Sequence, residues 1–180
     1  NKNKVTVNDY TKSSDGKWTK NWYVNGIAGT NGISTQKSEG DKKTPEGVFN
    51  AMFAFGLKDN PGSLLEYRKI GDGDYWVDDS NSAYYNTWVN TSKVKKDWAS
   101  AEDLKAAYPF YNYALALNYN TEAVPGKGSA IFIHCTKTDT DTSSAGCIRI
   151  PEDYMKKLVN GVDANTKIVI IQNVDKLSSY

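Results

Sequence analysis

The chain has 180 residues, of which 39% are hydrophobic and 24% are charged, as in ordinary globular proteins. Its 22 basic and 21 acidic residues leave a formal net charge of +1, which gives no reason to expect a nucleic acid or an anionic membrane surface as a partner. No apolar run approaches the roughly 20 residues of a membrane-spanning helix, so we expect no membrane span in this chain. The length predicts one domain over residues 1–180.

The first residues, Asn1-Lys2-Asn3-Lys4, contain no signal peptide and do not resemble a natural start. Either removal of an export signal or trimming of a longer chain would explain this.

Most segments between Gly, Asn and Asp turn residues have the composition of β-strands. In chain order, the predicted strands cover residues 4–7, 22–28, 48–55, 65–70, 75–77, 111–119, 129–135 and 167–172. Two helices are predicted, over residues 101–107 and 151–160, and Pro151 suits the first turn of the second. We therefore predict a mainly β fold, a sandwich or barrel of mixed sheets with two short helices.

The only histidine, His134, ends the predicted strand 129–135 and lies thirteen positions before Cys147. A cysteine attacks as its thiolate, and an imidazole is the commonest group that takes the thiol proton. Residues 137–144 are rich in Thr, Asp and Ser and predict an exposed loop between the two. Gly146 allows a sharp turn and a close approach of substrate. This pattern predicts Cys147 as nucleophile and His134 as base.

Three alternatives use the same residues. A single histidine is often structural, a single cysteine is often a small buried hydrophobe, and Cys135 and Cys147 are candidates for a disulfide in an exported protein. Neighbouring residues on a strand point to opposite faces, so if His134 faces the site, Cys135 faces away from it. We therefore expect two free thiols. The chain has no zinc-ligand spacing, P-loop or dinucleotide fingerprint, so we expect no metal and no cofactor.

The order of these residues resembles one enzyme family, the L,D-transpeptidase catalytic domain (YkuD, or ErfK-YbiS-YcfS-YnhG). Its pattern is a strand-borne histidine, a loop, [Ser/Thr]-x-Gly-Cys, an apolar residue and often arginine. Here the string is Ser144-Ala145-Gly146-Cys147-Ile148-Arg149. The chain departs from the pattern in two ways: Ala145 stands where many members have histidine, and the loop before Cys147 is short.

Two earlier segments resemble the same family. Residues 39–49 resemble its G-x-x-x-T-P-x-G-x-F segment, and predict a turn at Thr44-Pro45 that leads into a strand. Residues 76–79 and 84–88 resemble a segment of one branch of the family. The resemblance covers roughly residues 20–173.

The resemblance implies an enzyme of cell-wall biogenesis and cell shape, located in the bacterial cell envelope or outside the cell. Its partners would be peptidoglycan stem peptides, and a carbapenem would acylate it covalently. Cys147 would attack the carbonyl between the third residue, a diamino acid, and D-Ala at position four. D-Ala would leave, and an amine of a neighbouring stem would resolve the thioester to a 3→3 cross-link. With water as acceptor the enzyme would be an L,D-carboxypeptidase. We expect a monomer.

The other candidate site residues surround this pair. The main-chain N–H groups of Ala145, Gly146 and Cys147 are candidate oxyanion donors, and Ser144 is a further candidate for oxyanion or substrate binding. Arg149 shares a face with Cys147 if that segment is extended, as a carboxylate clamp or as a surface charge.

The group that orients His134 is either a main-chain carbonyl or the hydroxyl of Ser143 or Ser144, and the sequence does not choose between them. Tyr84, Tyr85 and Asn86 are candidates for a substrate groove. A non-catalytic cell-wall binding module with a degenerate site is the alternative, and the intact pair of His134 and Cys147 argues against it.

Overall fold

Strands dominate the computed structural model, which describes residues 2–138 and 140–179. The strands are β1 (Lys4–Lys12), β2 (Trp18–Ile27), β3 (Ile33–Ser34), β4 (Thr44–Pro45), β5 (Gly47–Phe49), β6 (Ala51–Gly56), β7 (Tyr67–Lys69), β8 (Asp74–Val77), β9 (Trp88–Asn90), β10 (Ala101–Asp103), β11 (Ala114–Leu117), β12 (Phe132–Cys135), β13 (Ile148–Ile150) and β14 (Ile168–Ile170). Within the described residues there is one α-helix, α1 (Glu152–Gly161), and one 3₁₀ helix, Val174–Ser179. The predicted mainly β fold is confirmed.

The largest sheet has seven strands in the order β1-β2-β13-β12-β11-β6-β7. Most neighbours are antiparallel, but β12 and β13 run parallel, as do β6 and β7. A three-stranded sheet, β10-β8-β9, and two pairs, β14-β5 and β3-β4, complete the strand pairing. The sheets are therefore mixed, and the parallel pair β12-β13 lies in the interior of the largest one.

Both faces of the large sheet are covered. On one face Leu115, Ile133 and Ile150 pack with Met155 and Val159 of α1. On the other face Ala114, Ala116 and Phe132 pack with aromatic residues, among them Phe53, Phe55, Trp76 and Tyr111. Every residue of β11 and β12 is buried, as expected for strands that are enclosed on two sides.

One predicted helix is correct and the other is wrong. The helix predicted over 151–160 forms as α1, preceded by Pro151 and with Glu152 and Asp153 in its first turn, where carboxylates suit the helix dipole. The helix predicted over 101–107 does not form. Ala101–Asp103 instead pairs with β8 as β10, and the Asp103 carboxylate accepts the N–H groups of Lys105 and Ala106 in the turn that follows. Pairing with β8 outweighs the helix propensity of this short segment.

The predicted strands all overlap observed ones, but their lengths differ. The strand predicted over 111–119 contains only β11, because residues 108–113 form turns, and β1 and β2 extend further than predicted. Besides β10, the sequence did not predict β3, β4, β9 and β13, whose two or three residues carry too little pattern to be recognised.

The register of β12 and β13 separates the two cysteines. His134 lies opposite Arg149, and Cys135 lies opposite Ile150. Cys135 and Ile150 belong to the core under α1, whereas Cys147 packs against the aromatic core on the other face. Both cysteines are free.

The core under α1 supplies a test of the fold. Leu115 is 0% exposed and Leu64 is 67% exposed. Leu115→Ala is expected to lower the free energy of unfolding by about 2–5 kcal/mol, because it leaves a cavity in the core. Leu64→Ala, the matched control, is expected to change it by less than about 0.5 kcal/mol. Urea denaturation of both variants measures the difference, and equal effects would contradict the assigned core.

The separation of the cysteines predicts their redox state. Protein purified without reductant and then denatured is expected to show two titratable thiols per chain with a thiol reagent, because the two sulfurs lie on opposite faces of a sheet and cannot meet the geometry of a disulfide. A result of no thiols, with two appearing only after reduction, would contradict the register of β12 and β13.

Candidate active site

The Cys147 sulfur sits at the start of β13 and contacts main-chain groups of the segment that leads into β12. Its thiol donates a hydrogen bond to the carbonyl of Ala130, with Sγ and O 3.1 Å apart, and it accepts one from the N–H of Phe132 at 3.4 Å. Burial raises the pKa of the Cys147 thiol to about 12, although the Phe132 N–H and the charge of Arg149 act in the opposite direction. The resting group is therefore the neutral thiol.

Side-chain hydroxyls hold the turn before Cys147. Ser144 Oγ donates to the carbonyl of Cys147 at 2.7 Å and accepts the N–H of Gly146 at 3.2 Å. Thr44 is fully buried, and its Oγ1 donates to the carbonyl of Gly146 at 2.6 Å and accepts the N–H of Gly29 at 2.8 Å. The Thr44-Pro45 segment, predicted only as a turn, thus holds the loop that carries Cys147.

Gly146 is required at its position. Its φ is +154°, and a Cβ atom there would lie 3.0 Å from the carbonyl oxygen of Lys43 and 3.3 Å from Cδ1 of Ile131. Any larger residue would push the turn away from the segment that holds Thr44.

His134 is 3% exposed and is held from two sides. Its Nδ1 lies 2.9 Å from the carbonyl oxygen of Cys135, and the rings of Tyr111 and Phe110 meet the imidazole edge-on at 5.1 and 5.8 Å. A carbonyl only accepts, so the hydrogen bond assigns the proton to Nδ1 and leaves the Nε2 lone pair free. The orienting partner left open by the sequence is therefore the Cys135 carbonyl, and Ser144 serves the turn instead.

His134 is neutral in the resting site. Burial, together with the positive charge of Arg149, lowers its pKa from 6.5 to about 3. Among the hydrogen bonds of the described residues, none joins His134 to the Cys147 sulfur. The two groups share a face of the sheet as a neutral imidazole and a neutral thiol, and they do not form a resting ion pair.

Arg149 lies on the same face and is not a surface charge. Its side chain is 19% exposed, its Cζ lies 4.4 Å from the centre of the Phe110 ring, and its Nη1 is 3.9 Å from an oxygen of Asp141. Within the described part of the chain, its buried Nε has no hydrogen-bond partner. The guanidinium therefore retains donor capacity next to both predicted catalytic residues.

A buried carboxyl group, Glu102 on β10, also belongs to this region. The Tyr111 hydroxyl donates to it at 3.4 Å, and burial together with Asp78 raises its pKa. Its charge in turn raises the pKa of Cys147. The sequence did not predict Glu102 as a site residue, because a helix was expected there in place of a strand of the sheet that covers the site.

The three residues predicted for a substrate groove differ in exposure, and each contacts other parts of the chain. Tyr85 is 2% exposed, and its hydroxyl donates to Glu39 at 2.5 Å and accepts the N–H of Gly128 at 3.0 Å. Asn86 is partly buried, and its side-chain amide bonds to four neighbours. Tyr84 is partly exposed and packs edge-on against Trp98 at 6.0 Å.

Ala145 is exposed, so the alanine at the position where many family members have histidine leaves an open position beside Cys147.

In the described residues, no three His, Cys, Asp or Glu side chains are grouped so that they would hold a metal ion. No helix in that part of the chain has both the length and the apolar character to cross a membrane.

Comparison with known proteins gives a family and a fold. No curated protein sequence matches the chain. Among solved structures, that of Bd1075 from Bdellovibrio bacteriovorus matches with a TM-score of 0.50 and 17% identity over 93% of this chain. This chain spans 44% of that protein's chain, and at this identity the likeness concerns the fold. The family model described as L,D-transpeptidase catalytic domain, YkuD, matches residues 6–170. The chain therefore belongs to the YkuD family of L,D-transpeptidase catalytic domains.

Proposed function

We propose that the protein is a cysteine-dependent L,D-transpeptidase that joins peptidoglycan stem peptides through an acyl-enzyme intermediate. One observation carries the proposal: His134 and Cys147 lie on one face of the parallel pair β12-β13, and the hydrogen bond of His134 Nδ1 to the Cys135 carbonyl favours the tautomer with its lone pair on Nε2. The family membership supports peptidoglycan as the substrate class.

In the first step, the Cys147 sulfur attacks the carbonyl carbon between the third stem residue and D-Ala, while Nε2 of His134 takes the thiol proton. The carbonyl oxygen becomes an oxyanion. Because the N–H of Gly146 is already bonded to Ser144 Oγ, the N–H groups of Ala145 and Cys147 are the donors that we assign to it.

In the second step, the C–N bond to D-Ala breaks. The nitrogen leaves with the proton held by His134, and a thioester remains on Cys147. An amine of a neighbouring stem then attacks the thioester, His134 takes the amine proton, and the sulfur regains a proton as the 3→3 cross-linked product leaves. With water in place of the amine, the same steps give a carboxypeptidase.

The protonation states support a concerted first step. A thiol with a raised pKa cannot pass its proton to an imidazole with a lowered pKa at equilibrium. The transfer is therefore expected to accompany formation of the C–S bond, which removes the charge from sulfur. A protonated imidazole of low pKa is in turn a strong acid toward the leaving amine.

Arg149 fits the role of binding the substrate carboxylate. Its Nε is buried without a partner, and its charge acts on both His134 and Cys147. A D-Ala carboxylate paired with this guanidinium would neutralise the charge that depresses the pKa of His134. Substrate binding would thus make the base stronger at the moment when it is needed.

The nucleophile is tested by two cysteine variants. Cys147→Ala is expected to abolish D-Ala release from a disaccharide-tetrapeptide substrate, whereas the matched control Cys135→Ala, which removes the thiol on the opposite face, is expected to retain most of it. Mass spectrometry of the products separates a cross-linked dimer from a free tripeptide. Intact-mass analysis with a carbapenem is expected to show one adduct on the wild type and on Cys135→Ala only.

Two results would contradict this proposal. An active Cys147→Ala variant would exclude Cys147 as the nucleophile. If neither D-Ala release nor a carbapenem adduct is found with folded wild-type protein, a non-catalytic wall-binding module becomes the better reading.

The base is tested by the pH dependence of turnover. His134→Ala is expected to lower kcat/KM by about 10²- to 10⁴-fold, the usual contribution of a general base. Because burial lowers the pKa of His134, it stays unprotonated on acidification, and the acid limb of the wild-type kcat/KM profile is expected below pH 6.5. Measurement of kcat/KM between pH 4 and pH 9 is expected to show no acid limb from pH 6.5 upward, because a limb set by a pKa of about 3 lies below this range. A limb above pH 6.5, or near-native turnover of His134→Ala, would remove His134 from this role.

A further inference from the structure

The side-chain amide of Asn86 connects the three-stranded sheet to the chain segment before β12 through hydrogen bonds. Its Oδ1 accepts the indole N–H of Trp76 at 2.9 Å and the main-chain N–H of Ala130 at 3.0 Å. Its Nδ2 donates to the carbonyls of Tyr119 and Asn120 at 3.1 and 2.8 Å. Both donors and both acceptor positions of the amide are thus occupied, which leaves it one orientation.

The Ala130 residue connects this amide to the sulfur of Cys147. Its N–H donates to Asn86 Oδ1, and its carbonyl accepts the thiol of Cys147 at 3.1 Å. Ala130 has a φ of +52°, in the left-handed region that costs a residue with a side chain roughly 1–3 kcal/mol. Such a conformation needs support from its surroundings, and the hydrogen bonds of the Ala130 N–H and of its carbonyl provide this support.

The neighbours of Asn86 and Ala130 stiffen the same connection. Tyr85, next to Asn86, receives the N–H of Gly128, and the hydroxyl of Ser129 donates to Glu39 at 2.7 Å, the carboxylate to which Tyr85 also donates. The residues 128–130 are therefore bonded one after another to the Tyr85-Asn86 segment, directly or through Glu39.

Asn86 is itself fixed by the backbone. It has a φ of +54°, and its N–H donates to the carbonyl of Val77 at 2.8 Å. Asparagine tolerates this left-handed conformation better than most residues with a side chain. The turn thus places an amide where it reaches Ala130.

We infer that Asn86 is a positioning residue for the nucleophile, which acts through the Ala130 peptide to hold the Cys147 thiol in its resting place. The inference rests on the proposed function only in taking Cys147 as the nucleophile. The hydrogen bond to the Ala130 carbonyl exists for the S–H form alone, since a thiolate has no proton to donate. Asn86 therefore also helps to keep the resting sulfur protonated.

The inference is tested by thiol alkylation with iodoacetamide, measured against pH in a Cys135→Ala background so that Cys147 is the only thiol. Asn86→Gly is the informative change, because glycine accepts the left-handed φ at no steric cost while the amide is lost. Losing one hydrogen bond that favours the neutral thiol is expected to move the alkylation profile downward by about half to one pH unit. Asn86→Ala is the second variant and is expected to shift the profile in the same direction.

The matched control is Asn90→Ala. Asn90 lies on β9 of the same three-stranded sheet, and its amide bonds to Asp72, Asp74 and Ser92, away from the segment before β12. This variant is expected to lose thermal stability but to leave the alkylation profile unchanged.

A profile of Asn86→Gly that coincides with the parent, or a shift of equal size in Asn90→Ala, would overturn the inference. Alkylation needs no peptidoglycan substrate. An absence of turnover in the parent protein would therefore count against the proposed function and leave this test intact.

Discussion

The parallel pairing of β12 with β13 is the constraint on which the site depends. It places His134 opposite Arg149 of β13, and Cys147 directly precedes β13. Residues two apart on a strand share a face, so all three side chains point into the aromatic side of the sheet, while Cys135 and Ile150 point into the core under α1. A slip of β13 by one residue against β12 would turn Cys147 to the face that holds Cys135.

Burial then sets the chemistry of the resting site. Enclosure between the large sheet and the aromatic cluster removes water from both titratable groups, which raises the pKa of Cys147 and lowers that of His134. Each shift favours the neutral form of its group, so the thiol of Cys147 and the imidazole of His134 both stay uncharged in the resting site. Arg149 and the carboxyl of Glu102 act on Cys147 with opposite signs, and a substrate that binds the guanidinium changes this balance.

Segments far apart in the chain hold the loop around the sulfur. Thr44 bonds to Gly146 from the segment of β4, and Asn86 bonds to Ala130 from the turn after β8. Each uses a short polar side chain to satisfy main-chain groups of a non-repetitive loop, which would otherwise be costly to bury. The three motifs of the sequence thus meet at one place: one carries the sulfur and two hold the backbone on either side of it.

The sequence alone determined the family, the mainly β class and the helix after Pro151, and it named His134 and Cys147 as the candidate pair, because these depend on residue type and on local order. The opposite orientation of Cys135 and His134 also followed from the alternation of a single strand. The tertiary structure decided what depends on partners distant in the chain. Residues 101–107 carry helix-forming side chains, yet pairing with β8 makes Ala101–Asp103 a strand and brings Glu102 to the site. The sequence predicted Tyr85 and Asn86 for a substrate groove, and only the packing of the segment 119–130 against them buries Tyr85 and engages the amide of Asn86. Long-range hydrogen bonds and burial produce no recognisable pattern in a short stretch of sequence, and they decide both the orientation of His134 and the protonation of Cys147.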